Sequence, residues 1–174
     1  LQVWDRQFVE LSEQVDRLRE SVFRTFQEEF RATLASSHRE WSEALKVDYY
    51  PGWDRKKGLY NTLLEHREQE RKVGHTLYGP NRADIRLRFH SRAVAEIFSR
   101  GQQKTLVILM KLTQGKVLAD RGKQVTFLLD DINAELDQGH RRLLAERLIR
   151  LGSQVFLTAI ERPDPTQLWE SPLP

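Results

Sequence analysis

Two adjacent aspartates, Asp130 and Asp131, follow an apolar run and have side chains that can bind a divalent cation. The run reads Val125-Thr126-Phe127-Leu128-Leu129, which is typical of a strand buried on both faces of a parallel sheet. Ligands of open α/β sheets collect at the carboxyl ends of such strands. We therefore predict that Asp130 holds Mg²⁺, directly or through water, and that Asp131 faces the reacting end of a nucleotide. The structural alternative is a pair of acids that caps a loop.

A second group of polar residues predicts an anion site at the start of a helix. The segment reads Ser99-Arg100-Gly101-Gln102-Gln103-Lys104. Ser99 followed three residues later by Gln102 is a capping-box pattern, and Gly101 allows close approach to the backbone. Free amides, the helix dipole and the cations Arg100 and Lys104 all favour an anion there. The alternative is a capping box that has no ligand.

Composition excludes several other kinds of site. The 174 residues contain no cysteine, which rules out disulfides, thiolate zinc sites and cysteine nucleophiles. The five histidines show no metal-ligand spacing, and no Gly-x-Ser-x-Gly motif occurs.

Residues 82–123 hold ten Lys/Arg against three Asp/Glu, whereas residues 130–137 hold four carboxylates. This asymmetry favours phosphate-bearing partners with a metal as mediator, and no apolar run approaches the ~20 residues of a transmembrane helix.

The first half of the chain predicts a helical arm as part of the scaffold. Apolar residues spaced 4-3-4-3-4 form a coiled-coil seam at Trp4, Phe8, Leu11, Val15, Leu18 and Val22. Phe26, Phe30 and Leu34 then recur every four residues, so the seam drifts around the helix. Since no Gly or Pro precedes residue 47, we predict one helix to about residue 46, which forms half of an antiparallel arm whose other half lies upstream. A second, polar helix is predicted at residues 56–72.

The second half of the chain predicts alternating strands and helices. Strands are expected at residues 77–78, 85–89, 125–129 and 155–160, and helices at residues 100–119 and 138–151. Strand–helix–strand order over residues 125–160 predicts a crossover unit with parallel strands. The tail, residues 162–174, holds four of the six prolines and is expected to be loosely ordered. The predicted fold is α/β, with a helical arm domain at 1–74 and a mostly parallel lobe at 75–174.

The order of the polar segments resembles the carboxyl-terminal lobe of an ABC-type ATPase head. The signature, Walker B and D-loop motifs of such heads correspond to Ser99-Arg100-Gly101-Gln102, Leu128-Leu129-Asp130-Asp131 and Asn133-Ala134-Glu135-Leu136-Asp137. The sequence is closer still to the RecF family of bacterial recombination mediators, which is related to the SMC ATPases. Tyr78-Gly79-Pro80-Asn81-Arg82-Ala83-Asp84 and Gly152-Ser153-Gln154-Val155-Phe156 also resemble RecF segments in RecF order. The resemblance covers residues 47–161.

This resemblance implies a role for each motif and a set of partners. The residues implied are Ser99, Arg100, Gly101 and Gln102 at the nucleotide of the opposite subunit, Asp130 at the metal, Asp131 in catalysis, and Asn133, Glu135 and Asp137 in the D-loop. The implied cofactors are ATP and Mg²⁺. The implied partners are DNA, a second copy of the protein in an ATP-dependent homodimer, and RecR, with RecO and RecA in the same pathway. The family resemblance further implies loading of RecA at DNA gaps, replication-fork maintenance, the SOS response and a cytoplasmic, nucleoid-associated location without a membrane.

Departures from the family pattern predict slow, switch-like turnover. Asp131 replaces the Glu of many ABC ATPases and is one methylene shorter, and Ala159 stands where many carry His. Asn81 stands at the usual His of the RecF segment, so any role of that ring is lost or substituted. The sequence contains no Gly-x-x-x-x-Gly-Lys-Ser/Thr loop. We therefore expect the phosphate-binding loop to lie upstream, and these 174 residues alone not to hydrolyse ATP.

Two alternatives stay open from the sequence. One is the head of another SMC-like ATPase, whose arms would run to hundreds of residues. The other is a coiled-coil interaction module without enzymatic activity, on which nucleotide would have no effect.

Overall fold

The computed structural model describes residues 2–131 and 138–158. Its helices and strands are, in chain order, α1 (Gln2–Ala35), α2 (Arg39–Ala44), β1 (Leu45–Tyr50), α3 (Leu59–Val73), a 3₁₀ turn (Pro80–Arg82), β2 (Asp84–Phe89), β3 (Arg92–Ala93), α4 (Val94–Ile97), α5 (Arg100–Ala119), β4 (Thr126–Leu129), α6 (Gln138–Leu151) and β5 (Gln154–Leu157). The helices predicted at 100–119 and 138–151 are confirmed. Within the described ranges, no helix is both long enough and apolar enough to cross a membrane.

The described residues fall into two compact units. The first is drawn from Leu1–Glu28 and Glu43–Ala93, and the second from Glu29–Ser42 and Val94–Pro174. The predicted division at residues 74/75 differs from these boundaries, because β2 pairs with β1, and β3 pairs with β2, in the first unit. The assignment of arm and lobe domains stays a prediction.

The first unit is built on an antiparallel three-stranded sheet in the order β1-β2-β3. β1 and β2 pair from Leu45↔Phe89 to Tyr50↔Asp84. On α1, Gln27 donates through Nε2 to the Val47 carbonyl at 2.7 Å. The buried apolar residues of this unit include Phe26, Val47, Trp53, Leu59 and Phe89. Helix α1 is therefore fixed to the sheet by both packing and hydrogen bonding.

Helix α1 ends at Ala35, earlier than the predicted residue 46. The hydroxyls of Ser36 and Ser37 both donate to the Thr33 carbonyl at 2.9 Å. Serine side chains that bond nearby backbone groups compete with the helical pattern, which explains a stop without Gly or Pro. The chain then forms α2, and β1 begins at Leu45.

The predicted seam of α1 is only partly buried. Phe26, Phe30 and Leu34 are at most 5% exposed, whereas Trp4 and Leu18 are 72% and 70% exposed. Leu11 and Val22 are exposed as well, whereas the Phe8 ring lies beside Gly79, so most of the amino-terminal part of the seam is uncovered by the described residues. An antiparallel partner for this stripe stays a prediction.

The strand predicted at residues 77–78 is wrong. The amide of Leu77 donates to Glu70 Oε1 at 2.7 Å, and the ring of Tyr78 contacts that of His66 with centroids 4.4 Å apart. Side chains of α3 therefore supply the hydrogen-bond acceptor and the ring contact of residues 77–78. The segment continues into the 3₁₀ turn and does not join a sheet.

The second unit contains the predicted crossover, with α6 between two parallel strands. β4 and β5 pair in register from Thr126↔Gln154 to Leu129↔Leu157. A cluster of Leu112 from α5 with Leu144 and Leu148 from α6 forms the core beneath them. Phe127, Leu129, Val155 and Leu157 pack against that cluster. Alternate residues of both strands thus anchor the sheet on the two helices.

The expectation that these strands are buried on both faces is wrong for this chain. Leu128 is 77% exposed and Phe156 is 56% exposed. Both point away from the face that α5 and α6 cover, because side chains alternate along a strand. No described element covers the second face.

We expect Leu148→Ala to lower the free energy of unfolding by about 2–5 kcal/mol, because it leaves a cavity in the core cluster. Urea denaturation measures the loss. Leu118→Ala is the matched control on α5, where the side chain is 47% exposed, and should cost less than about 1 kcal/mol. Equal losses in the two variants would contradict this description of the core.

Candidate functional site

The acidic pair lies at the carboxyl end of β4, beside the end of β5. Pairing of Leu129 with Leu157 brings the residues after the two strands together. The Thr158 amide extends the pairing by donating to the Leu129 carbonyl at 2.9 Å. Asp130 is exposed at this edge. The structure therefore places Asp130 and Asp131 at the strand edge where sequence predicted them.

Thr158 connects to both aspartates through one hydroxyl group. Its Oγ1 donates to Asp130 Oδ1 and accepts from the backbone amide of Asp131 at 3.0 Å. Sequence reasoning did not single out this residue. The predicted parallel pairing of the two strands could have identified it. In that pairing Thr158, the first residue after β5, lies opposite Asp130, the first residue after β4.

Asp131 has a backbone conformation that is uncommon for a non-glycine residue. Its φ is +45°, in the left-handed region that Asp tolerates better than most residues. Its Oδ1 is buried and has no hydrogen-bond partner among the described residues. A carboxylate oxygen without a donor fits a cation or a water bound to one.

The donor set at this edge fits Mg²⁺ accompanied by phosphates better than a metal held by protein alone. Mg²⁺ is commonly bound by one or two carboxylates together with substrate phosphates and water. Within residues 2–131 and 138–158, no three His, Cys, Asp or Glu side chains cluster as a metal site. Asp130 and Asp131 would thus supply only part of a coordination shell.

The predicted capping box at the start of α5 is confirmed. The Gln102 amide donates to Ser99 Oγ at 3.3 Å, and the Ser99 amide donates to Gln102 Oε1 at 2.8 Å. The preceding Phe98 is buried, and its carbonyl accepts from Gln103 Nε2 at 2.9 Å. The helix start is therefore fixed from both sides of the cap.

Among the hydrogen bonds of the described residues, none engages the backbone amides of Arg100 and Gly101 at this helix start. The first amides of a helix have no carbonyl within it to bond, and the capping box engages only those of Ser99 and Gln102. A Cβ added at Gly101 would meet nothing within 4 Å. Packing within the described chain therefore does not require glycine at this position, and the space beside it is open to a ligand.

The structure does not join the signature segment and the acidic pair into one cluster. Gly115, near the end of α5, packs beside Phe127 of β4, the strand that leads to the acidic pair. A Cβ added at Gly115 would lie only 2.3 Å from the Phe127 ring. Gly101 lies about 21 Å from Gly115 along the helix. The predicted D-loop residues lie outside the described residues and are Asn133, Glu135 and Asp137.

The curated relatives of this chain are RecF proteins. The chain is 62% identical to the DNA replication and repair protein RecF of Marinobacter nauticus over 169 residues, 97% of this chain and 45% of that protein. It is 40% identical to RecF of Chromohalobacter salexigens over 173 residues, 98% of this chain and 47% of that protein. The predicted relationship to the RecF family is confirmed. The chain spans about half the length of these curated RecF relatives.

Solved RecF structures share the fold. One, described as the recombination mediator protein RecF-ATP in the RecFOR pathway, superposes with a TM-score of 0.73 at 22% identity, over 93% of this chain and 45% of that one. A second, described as RecF-ATPrS, gives a TM-score of 0.68 at 18% identity over 92% and 46%. No family model matches the chain. The fold is the α/β fold of these solved RecF structures, and the α/β class is as predicted.

We expect Ser99→Ala to lower the free energy of unfolding by about 0.5–2 kcal/mol, because the Gln102 amide loses its acceptor. Thermal or urea denaturation measures the change. Ser99→Thr keeps the hydroxyl and should retain most of the stability. If Ser99→Thr were as unstable as Ser99→Ala, the capping assignment would be wrong.

Proposed function

We propose that the full-length protein is an ATP-dependent DNA-binding protein of DNA replication and repair that hydrolyses ATP slowly. In this proposal it dimerises on ATP and helps to load RecA at DNA gaps during recombinational repair and the SOS response. The observation that carries the proposal is that one chain contains both a capped helix start with open amides and an acidic pair at the end of a strand. The two occur in the order of the ABC signature and Walker B motifs. The sequence similarity to RecF supports it.

The acidic pair would serve the chain's own nucleotide. Asp130 would bind Mg²⁺, and its position at the strand end supports this role. When bound, Mg²⁺ would neutralise charge that develops on the phosphates. Asp131 would orient the attacking water with its buried, unpartnered Oδ1. Because Asp is one methylene shorter than Glu, this contact would be less favourable and turnover slow.

The signature segment would serve the nucleotide of the opposite subunit. An incoming phosphate would meet the open amides of Arg100 and Gly101, the positive end of the α5 dipole and the Arg100 guanidinium. The absence of a side chain at Gly101 would let the phosphate approach the backbone. Ser99 and Gln102 would keep the helix start in the form that accepts it.

The 174 residues would contribute only part of each site. They contain no phosphate-binding loop of the Walker A type, so we propose that this loop belongs to the remainder of the full-length protein. The same remainder would cover the exposed sheet face at Leu128 and Phe156. The isolated chain would accordingly show no ATP hydrolysis.

The biological partners are proposed from the relatives. Those relatives are described as DNA replication and repair proteins, and one solved RecF is described in the RecFOR pathway. We propose DNA, RecR and a second copy of the protein as partners of the full-length protein, with RecO and RecA in the same pathway, in the bacterial cytoplasm and at the nucleoid. Residues 82–123 hold ten basic residues against three acidic ones, and this positive charge supports a phosphate-bearing partner.

We expect full-length Ser99→Arg to fold and bind ATP but not to form the ATP-dependent dimer, because the larger cation fills the space needed by the incoming nucleotide. Light scattering with and without ATP measures dimerisation, and a fluorescent ATP analogue measures binding. Ser99→Thr is the control and should dimerise. Dimers of Ser99→Arg at wild-type concentrations would contradict the role in trans, and loss of ATP binding would place Ser99 at its own subunit's nucleotide.

A further inference from the structure

We propose that Thr158 is a positioning residue for the acidic pair, setting the orientation of Asp130 and the backbone of Asp131. This inference rests on the proposed function, in which these aspartates serve metal and water. It assigns a role to a residue of β5's carboxyl end that lies outside the signature, Walker B and D-loop motifs.

The hydroxyl of Thr158 acts on the two aspartates in different ways. Its proton is committed to Asp130 Oδ1, and a lone pair accepts the Asp131 amide at 3.0 Å. Among the described hydrogen bonds, Asp130 uses only Oδ1, which leaves Oδ2 for a cation. The bond thus selects both the rotamer of Asp130 and the oxygen presented to a metal.

The bond to the Asp131 amide fixes the direction of the chain after β4. Asp131 has φ +45°, so the backbone turns sharply there. No residue that the structure describes donates a hydrogen bond to its Oδ1, and the backbone therefore sets the direction of the side chain. Without the Thr158 acceptor, this amide would lose its described partner, and the direction of the Asp131 carboxylate would be less defined.

Thr158 is held firmly enough to perform this task. Its amide donates to the Leu129 carbonyl at 2.9 Å, directly beyond the Leu129↔Leu157 pair. Backbone pairing to β4 therefore locates the residue, and its side chain then locates the two residues that follow β4. Groups behind metal ligands that orient them in this way commonly matter as much as a ligand.

The test uses the full-length protein with three threonine variants. Thr158→Val keeps the branched shape and removes the hydroxyl, and Thr158→Ser keeps the hydroxyl. Thr126→Val is the matched control at the other end of the β4–β5 pair, where Thr126 is exposed and lies opposite Gln154. Three quantities are measured for each: ATP turnover as kcat and KM, Mn²⁺ affinity in the presence of ATP by electron paramagnetic resonance, and melting temperature without nucleotide or metal.

We expect Thr158→Val to lower both kcat and Mn²⁺ affinity by about 10-fold or more. Its KM for ATP should stay close to wild type, because the phosphate-binding loop is unchanged. Thr158→Ser should recover most of both losses, and Thr126→Val should show neither. The melting temperatures of Thr158→Val and Thr126→Val should be similar.

Three results would overturn the inference. They are wild-type kcat and Mn²⁺ affinity in Thr158→Val, failure of Thr158→Ser to recover either quantity, and losses that follow a fall in melting temperature shared by both Thr158 variants.

Asp130→Asn separates this inference from the proposed function. If Asp130→Asn hydrolyses ATP normally, the Walker B assignment fails; if it is inactive while Thr158→Val is normal, only the role of Thr158 fails.

Discussion

Parallel pairing of β4 with β5 is the constraint on which the candidate site depends. The pairing brings the residues after Leu129 and Leu157 to one edge of the sheet, where Thr158 contacts both Asp130 and Asp131. Within the part of the chain that the structure describes, β4 and β5 are packed on one face only, against leucines of α5 and α6. Asp130 can stay exposed at this edge because the backbone of β4 is fixed by the core. The core thus supplies the order that the proposed metal site needs.

Helix α5 combines a structural role with a proposed functional one. Leu106, Leu109 and Leu112 are buried along it, while its first residues are exposed and capped. A helix anchored along its length can present open amides at its start without fraying, since the capping box satisfies the groups that would otherwise favour unwinding. The open space at Gly101 and the buried Phe98 just before the cap show the same division between exposed and core-facing residues.

The parts of the fold that sequence predicted correctly are those set by local chemistry. The Ser99–Gln102 cap spans three residues, and the alternation of helix and strand around Asp130 follows from apolar runs. Features that depend on distant partners were missed, such as the pairing of β1 with β2 and the bond from Thr158 to Asp130. The local bond from Leu77 to Glu70 was also missed, because an acceptor on a side chain leaves no periodic pattern in the sequence. The exposure of Leu128 was also missed, because an apolar run does not tell which of its faces has a neighbour within this chain.

The central claim is that one chain offers an acidic half-site to its own nucleotide and a signature half-site to a partner's nucleotide. Mixing two inactive full-length variants tests it most directly. Ser99→Arg keeps Asp130, and Asp130→Asn keeps Ser99, so a mixed dimer has one complete composite site. The account predicts that each variant alone hydrolyses almost no ATP, and that the mixture regains turnover well above the sum of the two. A mixture as inactive as its components would contradict the claim.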